Sequence, residues 1–133
     1  MATTTAAQRR EQAKAEFDAF FADCPSRQVL ERLSDKWVVL CLAALSGGEL
    51  RFSELSRRIA GVSQKMLTQT LRHLERDGLV TREVTPTVPV TVSYALTPLG
   101  ASLEQTVRAV KVWAETHLPE VHAARSTYDA RSA

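Results

Sequence analysis

A mainly helical α+β chain carrying one β-hairpin is what this sequence predicts, and three observations predict it. Apolar residues keep helical time through most of the chain. One stretch switches to alternation, "LVTREV" at 79 to 84 and "VTVSYALT" at 90 to 97, joined by the Pro-containing "TPTVP". Helix-capping residues and glycines punctuate the boundaries. With 133 residues, 44% of them hydrophobic, a single small domain is expected over 6–122, with residues 1–5 disordered and 123–133 a flexible tail.

Each element has its own reason. Residues 6 to 22 set Ala13, Phe17, Phe20 and Phe21 at helical spacing among charged residues, and three phenylalanines on one helix call for a partner surface. Pro25 suits a first helical position, and Val29, Leu33, Trp37, Cys41 and Leu45 continue one i, i+4 stripe until "SGGE" stops it. Ser53 is expected to cap "ELSRRIA", and Ser63 to cap the next helix, in which Leu67, Leu71 and Leu74 line one side. Gly78 sits where a left-handed residue would end that helix, with Leu79 closing over Leu74. The hairpin at 79–97 places Val90, Val92, Tyr94 and Leu96 on one face. Thr97 and Pro98 then open a last helix, 98–118, whose apolar stripe is Leu99, Leu103, Val107, Val110, Trp113 and Ala114.

Charge is distributed unevenly. The net charge is only +2, yet residues 51 to 82 hold seven basic groups against three acids. A basic segment within a slightly acidic remainder suits a phosphate-facing surface. On the helix after Ser63, a turn of about 100° per residue puts Lys65, Thr68, Gln69, Arg72 and Arg76 opposite the leucines. Helix, short turn, polar-faced helix and hairpin make a winged helix-turn-helix over 53–77 and 79–97. A helix fits the DNA major groove, where Gln64 and Gln69 can address adenine and Arg72 guanine or phosphate; Lys65 and Ser63 are placed for phosphate.

The sequence also resembles the HxlR family of winged-helix regulators, over about residues 24 to 118. The matching words are "CP" at 24, "DKWVVLCLAAL" at 35 to 45, "LRFSEL" at 50 to 55, "GVSQKMLTQTLRHLERDGLVTRE" at 61 to 83, "VP" at 88, "YALTPLG" at 94 to 100, and Trp113. The resemblance implies a homodimer on a pseudo-palindromic double-stranded operator, and a repressor is expected rather than an activator. It implies an interface of the N- and C-terminal helices, with Phe17, Phe20, Phe21, Leu103, Val107, Val110 and Trp113. DNA contacts by Arg51 and, in the wing, Arg82 and Thr87 are added to the helix face. The family's usual "PP" and "VEY" read "PV" and "VSY" here, so Ser93 stands where a glutamate is usual.

Two sensing chemistries are expected to compete. Cys24, held at an N-cap by the following proline, would have its thiolate favoured by the helix dipole and Arg27, and in oxidant- or electrophile-sensing relatives a cysteine at the matching position is the reactive one. Otherwise Cys24 is a residue buried near the dimer interface. Cys41 falls on the core stripe, about 25 Å from Cys24 along an unbroken helix, too far for a disulfide. Alternatively a small apolar effector binds among Phe20, Phe21, Trp37, Tyr94 and Trp113, residues that equally suit ordinary core packing.

Other function classes find little support. His73, His117 and His122 have no metal-ligand spacing, and no phosphate loop, nucleophile elbow or paired acids occur, so neither an enzyme nor a cofactor is expected. The longest apolar run, 37 to 45, is too short to span a membrane, and the N-terminus lacks a signal peptide's apolar core, so the expected place is the cytoplasm. A winged helix used only for protein–protein interaction is the remaining alternative; it would show apolar or acidic groups in place of Lys65, Gln69 and Arg72.

Overall fold

The structure is a computed structural model that describes residues 3–132, without the side chains of residues 20–23. It divides into two compact units, Met1–Lys36 and Trp37–Ala133.

The first unit holds α1 (Ala6–Asp23) and α2 (Pro25–Leu33). Thr5 opens α1 with a reciprocal cap: the Gln8 N–H donates to Thr5 Oγ1 (3.1 Å) and the Thr5 N–H to Gln8 Oε1 (2.8 Å). The expected disorder of residues 1–5 therefore does not extend to Thr5, and residues 1–2 lie outside the described residues. The described side chains of α1 are exposed, Phe17 among them; the expected roles of Phe20 and Phe21 fall on side chains outside the described set.

One helix from Pro25 to Leu45 is expected from the apolar stripe, but the chain makes two. Ser34 ends α2 by donating its N–H to Leu30 O (2.9 Å) and its hydroxyl to Glu31 O (2.7 Å). Asp35 follows with an N–H to Arg32 O (3.4 Å), tightening the last turn. A short hydroxyl that bonds the helix's own terminal carbonyls offers the backbone an exit that the apolar period does not register.

The second unit is built round α3 (Lys36–Leu45), which buries Trp37, Val38, Cys41, Leu42 and Leu45. Then come β1 (Leu50–Arg51), α4 (Phe52–Arg58), α5 (Gln64–Arg76), β2 (Val80–Thr85), β3 (Thr91–Leu96) and α6 (Pro98–Ser132). The strands form an antiparallel sheet in the order β1-β3-β2. Leu55, Leu67, Leu71 and Leu74 are also core residues, with next to no exposed surface. This is the winged helix-turn-helix that the sequence predicts, with β1 as an unpredicted third strand.

That extra strand also moves the start of α4. Pairing of Leu50 with Tyr94 and Arg51 with Ser93 keeps the backbone extended up to Arg51, which becomes the N-cap in place of Ser53. The carboxylate of Glu54 accepts the Arg51 N–H (3.1 Å), so the cap acts through the acid three residues on.

Both predicted ends of α5 are present. Ser63 Oγ accepts the Met66 N–H at 3.1 Å. At the other end Gly78 has φ +75, the Leu79 N–H reaches Leu74 O (2.9 Å) and the Gly78 N–H reaches Glu75 O (3.0 Å), the pair of bonds that defines a Schellman ending.

A compact junction joins this ending to the wing and to α6. Thr97 donates its N–H to Leu79 O (3.0 Å) and its hydroxyl to Gly78 O (2.6 Å), while Thr97 Oγ1 accepts the Gly100 N–H (3.0 Å) as the cap of α6. Gly100 is buried against Leu79, and a Cβ placed on it would overlap the Leu79 carbonyl oxygen. The word "YALTPLG" thus encodes a buried strand residue, a cap, a first-turn proline and a close backbone approach.

The expected flexible tail is instead the last part of α6, which runs on through Pro119 to Ser132. Ala123, Ala124 and Arg125 favour helix intrinsically, and the Thr127 hydroxyl bonds Ala123 O (3.1 Å). The segment buries almost nothing, so no apolar period announces it. Of the α6 stripe, Leu103 and Val107 are half-buried, whereas Leu99, Val110 and Trp113 are exposed. Among the described residues no helix is long and apolar enough to cross a membrane.

Candidate nucleic-acid interface

The 3.6-residue period divides α5 into two faces. Leu67, Thr70, Leu71 and Leu74 are buried, and Gln64, Lys65, Gln69 and Arg72 are exposed on the far side. Gln64, Lys65, Thr68, Gln69 and Arg72 line one shallow groove along the helix. Thr68 is half-buried and spends its hydroxyl proton on Gln64 O (2.8 Å). Ser63 caps the same helix and is exposed.

The wing lies beside this face. Thr68, Arg72, Glu75, Arg82 and Tyr94 line a second groove, and Arg51, Phe52, Gln64, Thr68, Val90, Val92 and Tyr94 a third. Arg72 therefore stands between the outer face of α5 and the β2–β3 hairpin. The three grooves share Thr68 and between them bring together the expected Gln64, Lys65, Thr68, Gln69, Arg72, Arg51 and Arg82, while Ser63 at the N-cap lines none of them.

Electrostatics set this surface apart. Ion pairs are present on α2 and α6: Arg27–Glu31 (3.0 Å), Glu104–Arg108 (2.7 Å), Lys111–Glu115 (3.8 Å) and His117–Glu120 (3.6 Å). Arg51, Lys65, Arg72 and Arg82 are exposed and belong to none of them. Unneutralised cations grouped on one face raise a positive potential there.

Thr87 is placed differently. It sits in the wing loop with its N–H on Thr85 O (2.8 Å) and its hydroxyl on Pro89 O (2.8 Å), so both of its donors are turned into the loop.

The profile of the HxlR-like helix-turn-helix family matches residues 32–122. The chain belongs to this family. Among HxlR-type relatives, the HTH-type transcriptional regulator YtfH of Escherichia coli (strain K12) is 49% identical over 110 residues, covering 83% of this chain and 87% of that one. The solved structure of the transcriptional regulator ytfH from Salmonella typhimurium superposes with a TM-score of 0.71 at 48% identity, over 79% of this chain and 94% of that one. The redox regulator HypR in its oxidised form superposes with a TM-score of 0.65 at 40% identity, over 70% and 96%. This chain is accordingly an HTH-type, DNA-binding transcriptional regulator.

The residues expected to sense an effector are not gathered in the same way. Trp37 belongs to the core, Tyr94 lines the grooves beside α5, and Trp113 is exposed on α6 with its ring 5.0 Å from that of His117. None of the grooves described is lined by Trp37 or Trp113.

Neither Cys24 nor Cys41 is part of a disulfide. Cys24 occupies the N-cap of α2 as the sequence indicates, in an extended conformation ahead of Pro25. Its thiol pKa is lowered by the Ser26 hydroxyl first and the Ser26 N–H second, against a rise from partial desolvation, with a smaller lowering by the Arg27 N–H. The Arg27 side chain, expected to support the thiolate by its charge, is paired with Glu31 at 3.0 Å. The break after Leu33 removes the rigid rod that was expected to hold the two cysteines apart. Cys41 is nonetheless fully buried, so a bridge to it would require the core to open.

The direction of the Cys24 shift gives a measurable pH dependence. The thiolate is the reactive form, and a lowered pKa keeps it populated at more acidic pH than an ordinary thiol. Alkylation of Cys24 by iodoacetamide should fall off at lower pH than for a model thiol, and Ser26→Ala should move that midpoint upward. An unmoved midpoint would remove Ser26 as the cause.

Proposed function

We propose that the chain acts as a cytoplasmic homodimeric repressor, reading a pseudo-palindromic operator with α5 and released by oxidation or electrophilic modification of Cys24. The observation that carries the DNA-reading part is the exposed set of Lys65, Gln69, Arg72 and Arg82 shared by helix and wing, its three cations outside the ion pairs of α2 and α6. Arg72 and Gln69 are assigned to base edges, Lys65, Ser63, Arg51 and Arg82 to phosphates. Pairing of subunits is supported by the exposed apolar groups Val110 and Trp113 of α6, together with half-buried Leu103 and Val107, and by exposed Phe17 on α1. The Cys24 switch is supported by the lowered thiol pKa and by the likeness to HypR, a redox regulator. Release by a small apolar ligand is the second reading, favoured by the Tyr94-lined groove between α4, α5 and the wing.

The test is binding of the purified chain to DNA upstream of its own gene and of its divergent neighbour, at fixed salt, reduced and after mild thiol oxidation. Specific binding that weakens on oxidation, and stays unchanged by oxidation in Cys24→Ser, is expected. Binding indifferent to oxidation would transfer the switch to a ligand, and absence of specific binding would sink the regulator reading in favour of a protein-interaction module. Arg72→Ala should cost about 1 to 3 kcal/mol and relax discrimination at one operator position. A loss equal for every operator variant would reassign Arg72 to the backbone.

A further inference from the structure

Two short rows of side chains meet in the groove between α5 and the wing. On α5, Thr68, Arg72 and Glu75 follow at i, i+4 and i+7, so they stand one above another along one side of the helix. On the wing, Arg82 of β2 is paired with Tyr94 of β3, and side chains directly opposite in an antiparallel pair share a face about 5 Å apart. These five residues line a cavity of about 320 Å³, the most recessed of the three grooves beside α5. That size lies at the lower end of the roughly 300 to 1,000 Å³ of small-molecule sites.

Tyr94 is the residue that points to a ligand. It is only 7% exposed, and among the described residues its hydroxyl has no hydrogen-bond partner. No fully enclosed side-chain oxygen among the described residues lacks a partner, so this hydroxyl opens onto the grooves that Tyr94 lines. A tyrosine that buries its ring ordinarily finds an acceptor for its O–H. Arg72, Glu75 and Arg82 are exposed and stand outside the ion pairs of α2 and α6.

Donors and acceptors together define what fits. Arg72, Arg82 and Tyr94 donate, and guanidinium groups match the paired oxygens of a carboxylate. Glu75 accepts, and so does Thr68, whose hydroxyl proton is already on Gln64 O (2.8 Å). Two cations and one anion leave a single positive charge in the cluster, which a monoanion balances. A phosphate dianion would exceed that charge and meet the Glu75 carboxylate.

We infer that this groove binds a small organic monocarboxylate that carries a hydrogen-bond donor, its carboxylate held by Arg72, Arg82 and the Tyr94 hydroxyl and its donor received by Glu75. A bound ligand occupies the two arginines assigned above to a base edge and a phosphate, so ligand and operator exclude each other. This consequence rests on the DNA-binding reading, whereas the binding of the ligand does not. Cys24 contributes nothing to the site, so release by the ligand needs no thiol chemistry.

The experiment is a calorimetric titration of the reduced full chain without DNA, using para-hydroxybenzoate as the probe and benzoate and inorganic phosphate beside it. One para-hydroxybenzoate should bind per chain with a dissociation constant of about 1 mM or lower. Benzoate, which lacks the donor, should bind about tenfold more weakly. Tyr94→Phe keeps the buried ring, so the fold is retained, which a melting curve checks; it should weaken the probe by about tenfold. Glu75→Ala, at an exposed position, should erase the preference for para-hydroxybenzoate over benzoate. With an operator duplex present, the probe at about 100 times its dissociation constant should weaken DNA binding by about 100-fold, in Cys24→Ser as in wild type. No binding of the probe at about 10 mM, or binding that phosphate matches and Tyr94→Phe leaves unchanged, overturns the inference. Probe binding that leaves operator affinity unaltered overturns the exclusion. A chain that binds the probe in this pattern but no operator upholds the site and sinks the regulator reading instead.

Discussion

Gly100→Ala should lower the stability of the protein by about 3 kcal/mol, at the upper end of what overpacking costs. The sign is what makes the result informative. At an ordinary helical position, replacing glycine by alanine gains up to about 1 kcal/mol, because alanine has the higher helix propensity. Here the added methyl group would overlap the backbone carbonyl of Leu79, and a backbone atom cannot rotate away as a side chain does. Relief requires α6 to move off the end of β2, which would stretch the Thr97 bonds to Gly78 and Leu79 (2.6 and 3.0 Å). A thermal melt followed by circular dichroism should drop by roughly 10 °C. A variant that melts at or above the wild-type temperature would show that the junction has slack.

Leu71→Ala should cost about 2 to 5 kcal/mol, the usual range for a leucine truncated inside a packed core. Leu71 is 1% exposed and sits among α5 leucines that are equally enclosed. Its neighbour Arg72 is rotated by about 100° round the helix and faces solvent. Arg72→Ala should therefore change unfolding by no more than about 0.5 kcal/mol while weakening operator binding. Chemical denaturation of the two variants side by side separates the faces: comparable losses of stability would contradict the division of α5 into a packed side and a reading side.

This division was legible from sequence because every signal for it is local. Ser63, the leucine spacing and Gly78 lie within sixteen residues, and caps and periods act over that range. Thr97, Pro98 and the alternation through Tyr94 are local in the same sense. The break after Leu33 was hidden because Val29, Leu33, Trp37, Cys41 and Leu45 keep i, i+4 spacing straight across it; its own signal was the pair Ser34–Asp35, two residues that favour helix ends. Strand β1 was out of reach for a different reason. Two residues have no period, and Leu50 becomes a strand only through its pairing with Tyr94, more than forty positions away. The end of α6 was missed because hydrophobic periodicity reports burial, and a helix that buries nothing leaves no trace in it. The role of Gly100 was likewise invisible as geometry, since the atom it must avoid belongs to Leu79.

The knot of bonds at Thr97 has a mechanical consequence. From Pro98 to Leu118, ahead of Pro119, α6 is a rod about 30 Å long whose inner end is fastened to the last turn of α5 and the base of the wing. A tilt of about 3° at that end displaces the far end by only about 1.6 Å, within the range of about 1 to 2 Å over which packed helices shift. Torque applied to the outer part of α6 has no loop in which to dissipate before it reaches Gly78. The angle between α6 and the recognition helix is thus held by the Gly78 and Leu79 carbonyls, the Gly100 N–H and one threonine, and changing it means breaking those bonds rather than bending a linker.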